Sequence, residues 1–332
     1  MSDQTLSTST ENKKRVFTVS ASSLDSMACE TKYNYGHLQR LVPMQMEEAL
    51  DFGGLIHWML HPYYFSKIKP EYLKPHHTNH VFAPLLNLRV AQVIEACIAM
   101  GREKALVTDL EIKERQEAIG LFRSYVEHRI NDRWHTIEVE QPFSKILYED
   151  DNLIIVYEGK VDLITEIEQD GVTIVDNKTG GRDRHIPETN NQIIGSCWAF
   201  GVNKFLINKA LRVKDDPFRR DIYYALPEQK DEWVKDTIHN VRRIIHYIDN
   251  DYFPMQRSQC GVFGNCRYLK ACKAPPSARY TMLNGLFRKS RFGGLYAPDP
   301  LLEEIAKKVL GKYEPAAHTQ VLPSDIEQAL EG

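Results

Sequence analysis

Apolar residues recur at three- and four-residue spacing through residues 87–103 and 109–130, with Val90, Val93, Ile94 and Cys97 as one such set. That period predicts two amphipathic helices. An earlier helix is expected to start near Ser22 or Ser23, either of which can cap it, and to carry Leu24, Met27, Cys29 and Tyr33. A further helix is expected over residues 44–60, interrupted by Gly53 and Gly54. Residues 1–18 are polar and expected to be flexible, so residues 19–130 read as mainly helical. The pattern then changes. Residues 137–146, 153–167 and 172–176 are rich in β-branched and aromatic side chains and end in turn signals, of which Asp170-Gly171 is the clearest. These stretches predict strands. A helix over 188–207, a strand over 221–226 and a long helix over 228–250 follow, the last with Val234, Ile238, Val241, Ile245 and Ile248 on one face. The pattern predicts an α/β core over residues 135–250, between a helical N-terminal part and a cysteine-bearing C-terminal part.

At 332 residues, 42% hydrophobic and 26% charged, the chain is long and apolar enough to bury a sizeable core, as two domains or one elaborated one. No apolar run approaches the roughly 20 residues of a membrane span, and the polar start has no hydrophobic signal region. A cytoplasmic protein with no membrane partner is expected. The net charge of −3 argues against a nucleic-acid partner, but residues 252–298 contain no Asp or Glu and eight lysines and arginines. Arg257, Arg267 and Lys270 lie there. Tyr268, Tyr280, Phe287, Phe292 and Tyr296 are interleaved with the charges, which suits base stacking beside phosphate contacts. The same composition also fits a solvated basic face over core aromatics.

The chemistry concentrates in Gly159-Lys160-Val161-Asp162-Leu163-Ile164 and Ile174-Val175-Asp176-Asn177-Lys178-Thr179-Gly180. With a turn centred on Gln169, Asp162 faces Asp176 across an antiparallel pair. Directly opposed side chains have Cβ atoms about 4.5–5.5 Å apart, and two carboxylates so close repel unless a cation or proton lies between them. Alternation along the strand puts Lys178 on the face of Asp176 and turns the Asn177 side chain away. Two carboxylates and a lysine on one patch suit phosphodiester hydrolysis assisted by Mg²⁺ or Mn²⁺, with Lys178 holding the attacking water and offsetting charge. A surface hairpin with a salt-bridging lysine would show the same residues.

Asp162, Asp176-Asn177-Lys178 and Gln192 resemble the PD-(D/E)xK nuclease superfamily, in particular its RecB-like exonuclease branch. Phe52-Gly53-Gly54-Leu55-Ile56-His57 is similar to that branch's glycine-then-histidine signature, and Asn190-Asn191-Gln192 to its glutamine motif. Ser196 stands where a tyrosine usually follows that glutamine. The resemblance implies a restriction-endonuclease-like core, a mixed central β-sheet flanked by helices, within a nuclease domain over residues 19–275. It also implies a metal site of His57, Asp162, Asp176 and the Asn177 carbonyl, with Lys178 as catalytic lysine and Gln192 positioning the substrate or the lysine strand. The implied activity is a DNA exonuclease in recombination, repair or end processing, in a bacterial or phage-infected cell, working with an annealing protein or a helicase. A non-cleaving scaffold and a structure-specific endonuclease are the alternatives. Arg182, Arg184 and the basic stretch are the candidate phosphate contacts, and residues 276–332 form a basic segment and an acidic tail.

Six cysteines in a chain with no secretory signal argue against a disulfide framework and toward metal binding. Cys260, Cys266 and Cys272 stand at equal gaps within a cysteine segment over 252–275, and three thiolates invite a fourth. Cys29 resembles the N-terminal cysteine that completes a 4Fe–4S cluster in iron–sulfur members of the branch. Four thiolates also suit zinc, and the spacing does not separate the two. Cys97 and Cys197 sit among apolar helix residues and read as core.

Overall fold

The computed structural model describes residues 14–44, 48–168, 171–183, 185–261, 266–290 and 299–313. In chain order it contains β1 (Arg15–Val19), α1 (Ala21–Ser26), α2 (Glu30–Tyr33), β2 (Leu41–Pro43), α3 (Glu48–Phe65), α4 (Pro75–Thr78), α5 (Val90–Ala105) and α6 (Ile112–Arg129). Three long strands follow, β3 (Trp134–Glu149), β4 (Leu153–Ile167) and β5 (Gly171–Gly180), then α7 (Asn191–Phe200), β6 (Lys204–Leu211), β7 (Arg220–Tyr224) and α8 (Pro227–Asp249). The chain continues through α9 (Leu269–Lys273), α10 (Pro276–Leu286), β8 (Phe287–Lys289) and α11 (Pro300–Leu310).

The central sheet is mixed. β1 runs parallel to β4, β3 and β5 antiparallel to it, β6 parallel to β5, and β7 antiparallel to β6. β3 pairs along most of one edge of β4, so β1 and β5 share the other edge. β1 takes residues 153–157 and β5 takes residues 163–167. Between them, among the described residues, no strand pairs with residues 158–162 of β4 on that side, and Asp162 stands in this gap.

Two apolar layers cover the sheet. α3, α5, α6 and α11 pack with Leu163, Val175 and Leu206 on one face, whereas α1, α7 and α8 pack with Ile155, Ile174, Phe205 and Ile207 on the other. The α/β expectation holds, with helices on both faces of a sheet whose inner strands are buried on both sides. A smaller cluster joins Tyr35, Tyr268, Ala271, Leu283 and Phe287. Here β2 pairs antiparallel with β8, tying the N-terminal region to the cysteine-bearing segment. Among the described residues, no helix is long and apolar enough to cross a membrane.

Several elements differ from the sequence expectation. Residues 15–18, expected to be flexible, lie in strand β1, because their alternation buries Phe17 and Val19 against the sheet. The first helix is capped by Ser20, whose hydroxyl accepts from the Ser23 main-chain N–H, and Ser23 closes a capping box rather than starting the helix. Gly53 and Gly54 do not interrupt α3, which continues through Pro62 to Phe65. Gly53 is instead the point where α3 meets β5. A Cβ there would lie 2.7 Å from Thr179 Oγ1. The helix expected over 188–207 stops at Phe200, because Gly201 adopts a left-handed φ of 67°. The apolar run beyond it forms β6, buried at all eight positions.

Candidate active site

The β4–β5 hairpin has the predicted register. Gln169 and Asp170 lie outside the described residues, but the pairs run from Ile167↔Gly171 to Leu163↔Val175. The ladder ends one residue short of Asp162 and Asp176, where β5 leaves β4. The Asn177 N–H on that edge bonds to the Asp162 carboxylate, whose Oδ2 accepts it at 2.7 Å. His57, on α3 one turn beyond Gly53, places Nδ1 3.5 Å from the same oxygen.

Glu140 joins them, and sequence reasoning missed it. It lies on β3 between the pairs Val139↔Leu163 and Gln141↔Val161, opposite Asp162. Its φ of 50° is left-handed, costly for a residue with a side chain, as backbone at functional sites often is. His57, Glu140 and Asp162 each offer a ligand atom within 4.8 Å of the others. Nothing local marks Glu140. Only the pairing of two long strands brings it here.

Asp176, 5% exposed, has a separate set of partners. Its Oδ1 accepts from Gln192 Nε2 at 2.6 Å, and Lys178 Nζ stands 2.8 Å from Oδ2. Lys178 also donates to Gln192 Oε1 at 3.3 Å, closing a triangle. Asn190 caps α7 and accepts from the Gln192 N–H at 2.8 Å, which fixes where the glutamine starts. Burial raises the Asp162 pKa to about 7, with the Asp176 charge adding to it and His57 and the Asn177 N–H opposing. Burial also pulls the Lys178 ammonium down, but Asp176 and Asp162 outweigh it and leave its pKa raised. Asp176 Oδ2 is buried without a well-aligned hydrogen-bond donor. The carboxylates of Glu140 and Asp162 and the His57 imidazole form a donor set that fits a hard divalent cation, while Asp176, whose Oδ2 faces the Lys178 ammonium, stands outside that group.

A family model described as the PD-(D/E)XK nuclease superfamily matches residues 18–273. This chain belongs to that superfamily. Membership implies a metal-dependent nuclease, and the acidic cluster, the lysine and the glutamine all fall within the matched span. No curated protein matches the sequence. Among solved structures, one titled "Crystal structure of SSO0001" is similar over 44% of this chain and 70% of that chain, at 15% identity and a TM-score of 0.26.

In this superfamily member the side chain of Asn177 points away from the carboxylates, as its strand position predicts. Its Oδ1 accepts from Asn208 Nδ2 on β6 at 2.9 Å. Arg182, Arg257, Arg267 and Lys270 are exposed, and Arg184 lies outside the described residues. The expectation that Tyr268 and Phe287 stack on bases does not hold. They are 2% and 5% exposed and pack on each other in the small cluster, because their segment needs a core of its own. Tyr280 is exposed, while Phe292 and Tyr296 lie outside the described residues.

The four cysteines expected to act together come from two ends of the chain. Cys29, buried, sits at the N-terminus of α2, Cys260 and Cys266 flank a segment outside the described residues, and Cys272 lies on α9. Cys29, Cys260 and Cys266 line one cleft of about 500 Å³. Burial pushes the Cys272 thiol up to about 11, and Cys266, Cys29 and Cys260 add to the shift. Cys97 and Cys197 are fully buried in the two helix layers, as expected.

Proposed function

We propose that this chain is a DNA exonuclease that hydrolyses phosphodiester bonds with Mg²⁺ or Mn²⁺, in recombination, repair or end processing. The observation that carries the reading is the convergence of His57, Glu140 and Asp162 beside the Asp176–Lys178–Gln192 triangle. A divalent cation, when bound, neutralises charge on the phosphate and lowers the pKa of water. His57, Glu140, Asp162, Asp176 and the Asn177 carbonyl would hold it. Lys178, anchored by Asp176 and Gln192, holds the attacking water in line and offsets negative charge on the phosphate as it develops. Gln192 keeps lysine and carboxylate at one spacing, so the ammonium does not swing into solvent.

Cys29, Cys260, Cys266 and Cys272 would hold a 4Fe–4S cluster, with zinc as the alternative, stapling the two chain ends to the core. Three unpaired thiols, Cys29, Cys260 and Cys266, line one cleft, and all three raise the Cys272 thiol, which supports this. Iron, sulfide and zinc analysis of anaerobically purified protein separates the two, since iron–sulfur protein is coloured and the zinc form is not.

Purified protein incubated with end-labelled linear DNA and closed circular DNA, in Mg²⁺, Mn²⁺ or EDTA, tests the activity. Linear DNA is expected to be shortened only with metal, and circles to resist. Cleaved circles would instead support an endonuclease on the same site. Lys178→Ala should slow cleavage at least about 100-fold while the protein stays folded by circular dichroism. A variant that cuts at the parental rate would remove Lys178 from the mechanism.

A further inference from the structure

Beside the candidate active site lies a groove that no step above uses. Its first part, about 460 Å³, is lined by Gln192, Lys160, Asn190, Ser22, Phe143 and Tyr157. It therefore begins at the glutamine that binds Asp176 and at the lysine paired with Glu140. Its second part, about 660 Å³, lies between β1 and residues 33–42, with His37, Arg40 and Ser290 on the outer wall. Ser20 and Glu158 line both parts, so the two are continuous. The groove follows from the fold. It opens where β1 and β5 part along β4, at residues 158–162.

The outer wall belongs to a unit assembled from two distant stretches, residues 31–44 and 252–290, joined through β2–β8 and the Tyr35–Tyr268 cluster. Neither stretch contains an Asp or Glu. The first carries two lysines and arginines and the second seven, which leaves the remainder of the chain at −12 within a net charge of −3. Val42 lines the groove and is paired with Arg288, and the Ser290 N–H bonds to the Arg40 carbonyl at 2.8 Å. Paired residues share a face, so Arg288 lies on the groove side of the β2–β8 pair, at the rim and outside the lining itself.

We propose that this groove holds a single-stranded segment of the DNA next to the bond being cut, with its backbone against Arg40 and Arg288. This rests on the nuclease reading and names its substrate class. Arg40 and Arg288 stand at the rim, whereas the lining below them offers serine hydroxyls, amides and an imidazole, groups that hydrogen-bond exposed base edges, together with Lys160 and the carboxylates of Asp25 and Glu158. The floor reaches core residues, with Val19 1% and Tyr33 3% exposed. A duplex, with paired bases inside and phosphates outside, would touch only the rim. Glu158 at the junction and Asp25 in the first part repel phosphate and keep the backbone on the outer wall.

The test is fluorescence anisotropy in EDTA, with a labelled oligonucleotide of about 20 nucleotides and a hairpin duplex of the same composition. The double variant Arg40→Glu/Arg288→Glu is expected to weaken single-strand binding at least tenfold and to flatten the salt slope by about 1.4, because two phosphates are no longer neutralised. The duplex should lose less, and Arg133→Glu, a cation outside the groove, should change neither. Manganese-dependent hydrolysis of bis(p-nitrophenyl) phosphate, too small to reach the rim, should stay at the parental rate. Should charge reversal unfold the basic unit, Arg40→Gln/Arg288→Gln carries the same test with a threefold loss expected. Single-strand binding within twofold of the parent, or an equal loss for the duplex, overturns the proposal. Parental protein that does not hydrolyse the small diester would overturn the nuclease reading instead, leaving the binding result to stand on its own.

Discussion

At the scale of single residues, two partly buried titratable groups pull stability in opposite directions as pH changes. Burial lowers the His61 pKa to about 4 from an ordinary 6.5, on α3 beside Phe82. A depressed imidazole leaves stability intact above pH 6.5 and erodes it as pH falls toward 4. Asp162 does the reverse. Its carboxyl is raised to about 7 from 3.8, so in metal-free protein its contribution is complete below pH 4 and is lost as pH rises to 7. Single variants separate the two. His61→Leu should flatten the acid-side fall in melting temperature, and Asp162→Asn in EDTA should melt higher than the parent at pH 8, with the difference closing near pH 4. Glu140→Gln is expected to cut the melting-temperature gain on adding Mn²⁺ at least by half. An undiminished gain would take Glu140 out of the metal site.

At the scale of elements, the lysine strand is held from behind by a buried polar network. Asn208 on β6 donates to Asn177 and contacts the hydroxyls of Tyr125 on α6 and Tyr64 on α3, while its Oδ1 accepts from Arg220 Nε on β7 at 3.3 Å. Arg220 is in turn paired with Asp132 and lies 3.8 Å over the Trp134 ring. Tyr64 is two turns along α3 from His57, so the network ties the histidine's helix to the strand carrying Asp176 and Lys178. Asn208→Leu should cost about 1–3 kcal/mol in urea unfolding, since it leaves buried partners unpaired. A smaller loss would mean water replaces the amide. The hairpin register was legible in advance because a short turn sets it and strand alternation orients each side chain. β6 was not legible, since an apolar run after a helix reads equally as more helix, and the stop depends on Gly201.

At the scale of the whole molecule, the chain ends are clasped across the core. The Thr31 N–H and hydroxyl bond to the carbonyls of Pro254 and Phe253 at 3.2 and 2.8 Å, two residues from Cys29 and just ahead of Cys260. Arg243 on α8 donates to the Met27 carbonyl at 2.9 Å from the other side. If a cluster completes this clasp, Cys266→Ser should lose visible absorption and melt several degrees lower, while Cys197→Ala keeps its colour. Equal melting temperatures for Cys266→Ser and the parent would show that the clasp holds without metal.

Asp162, Asp176, Lys178, Gln192 and His57 could be named from the chain alone because each belongs to a short pattern of fixed spacing, and such spacing translates directly into side-chain direction within one strand or helix turn. Glu140, Arg40 and the Asn208 network could not. Their roles arise from which strands neighbour each other and where β1 and β5 part, and those choices are made by burial over the entire sheet. Local patterning encodes which way a side chain points; what it meets there is settled by long-range packing.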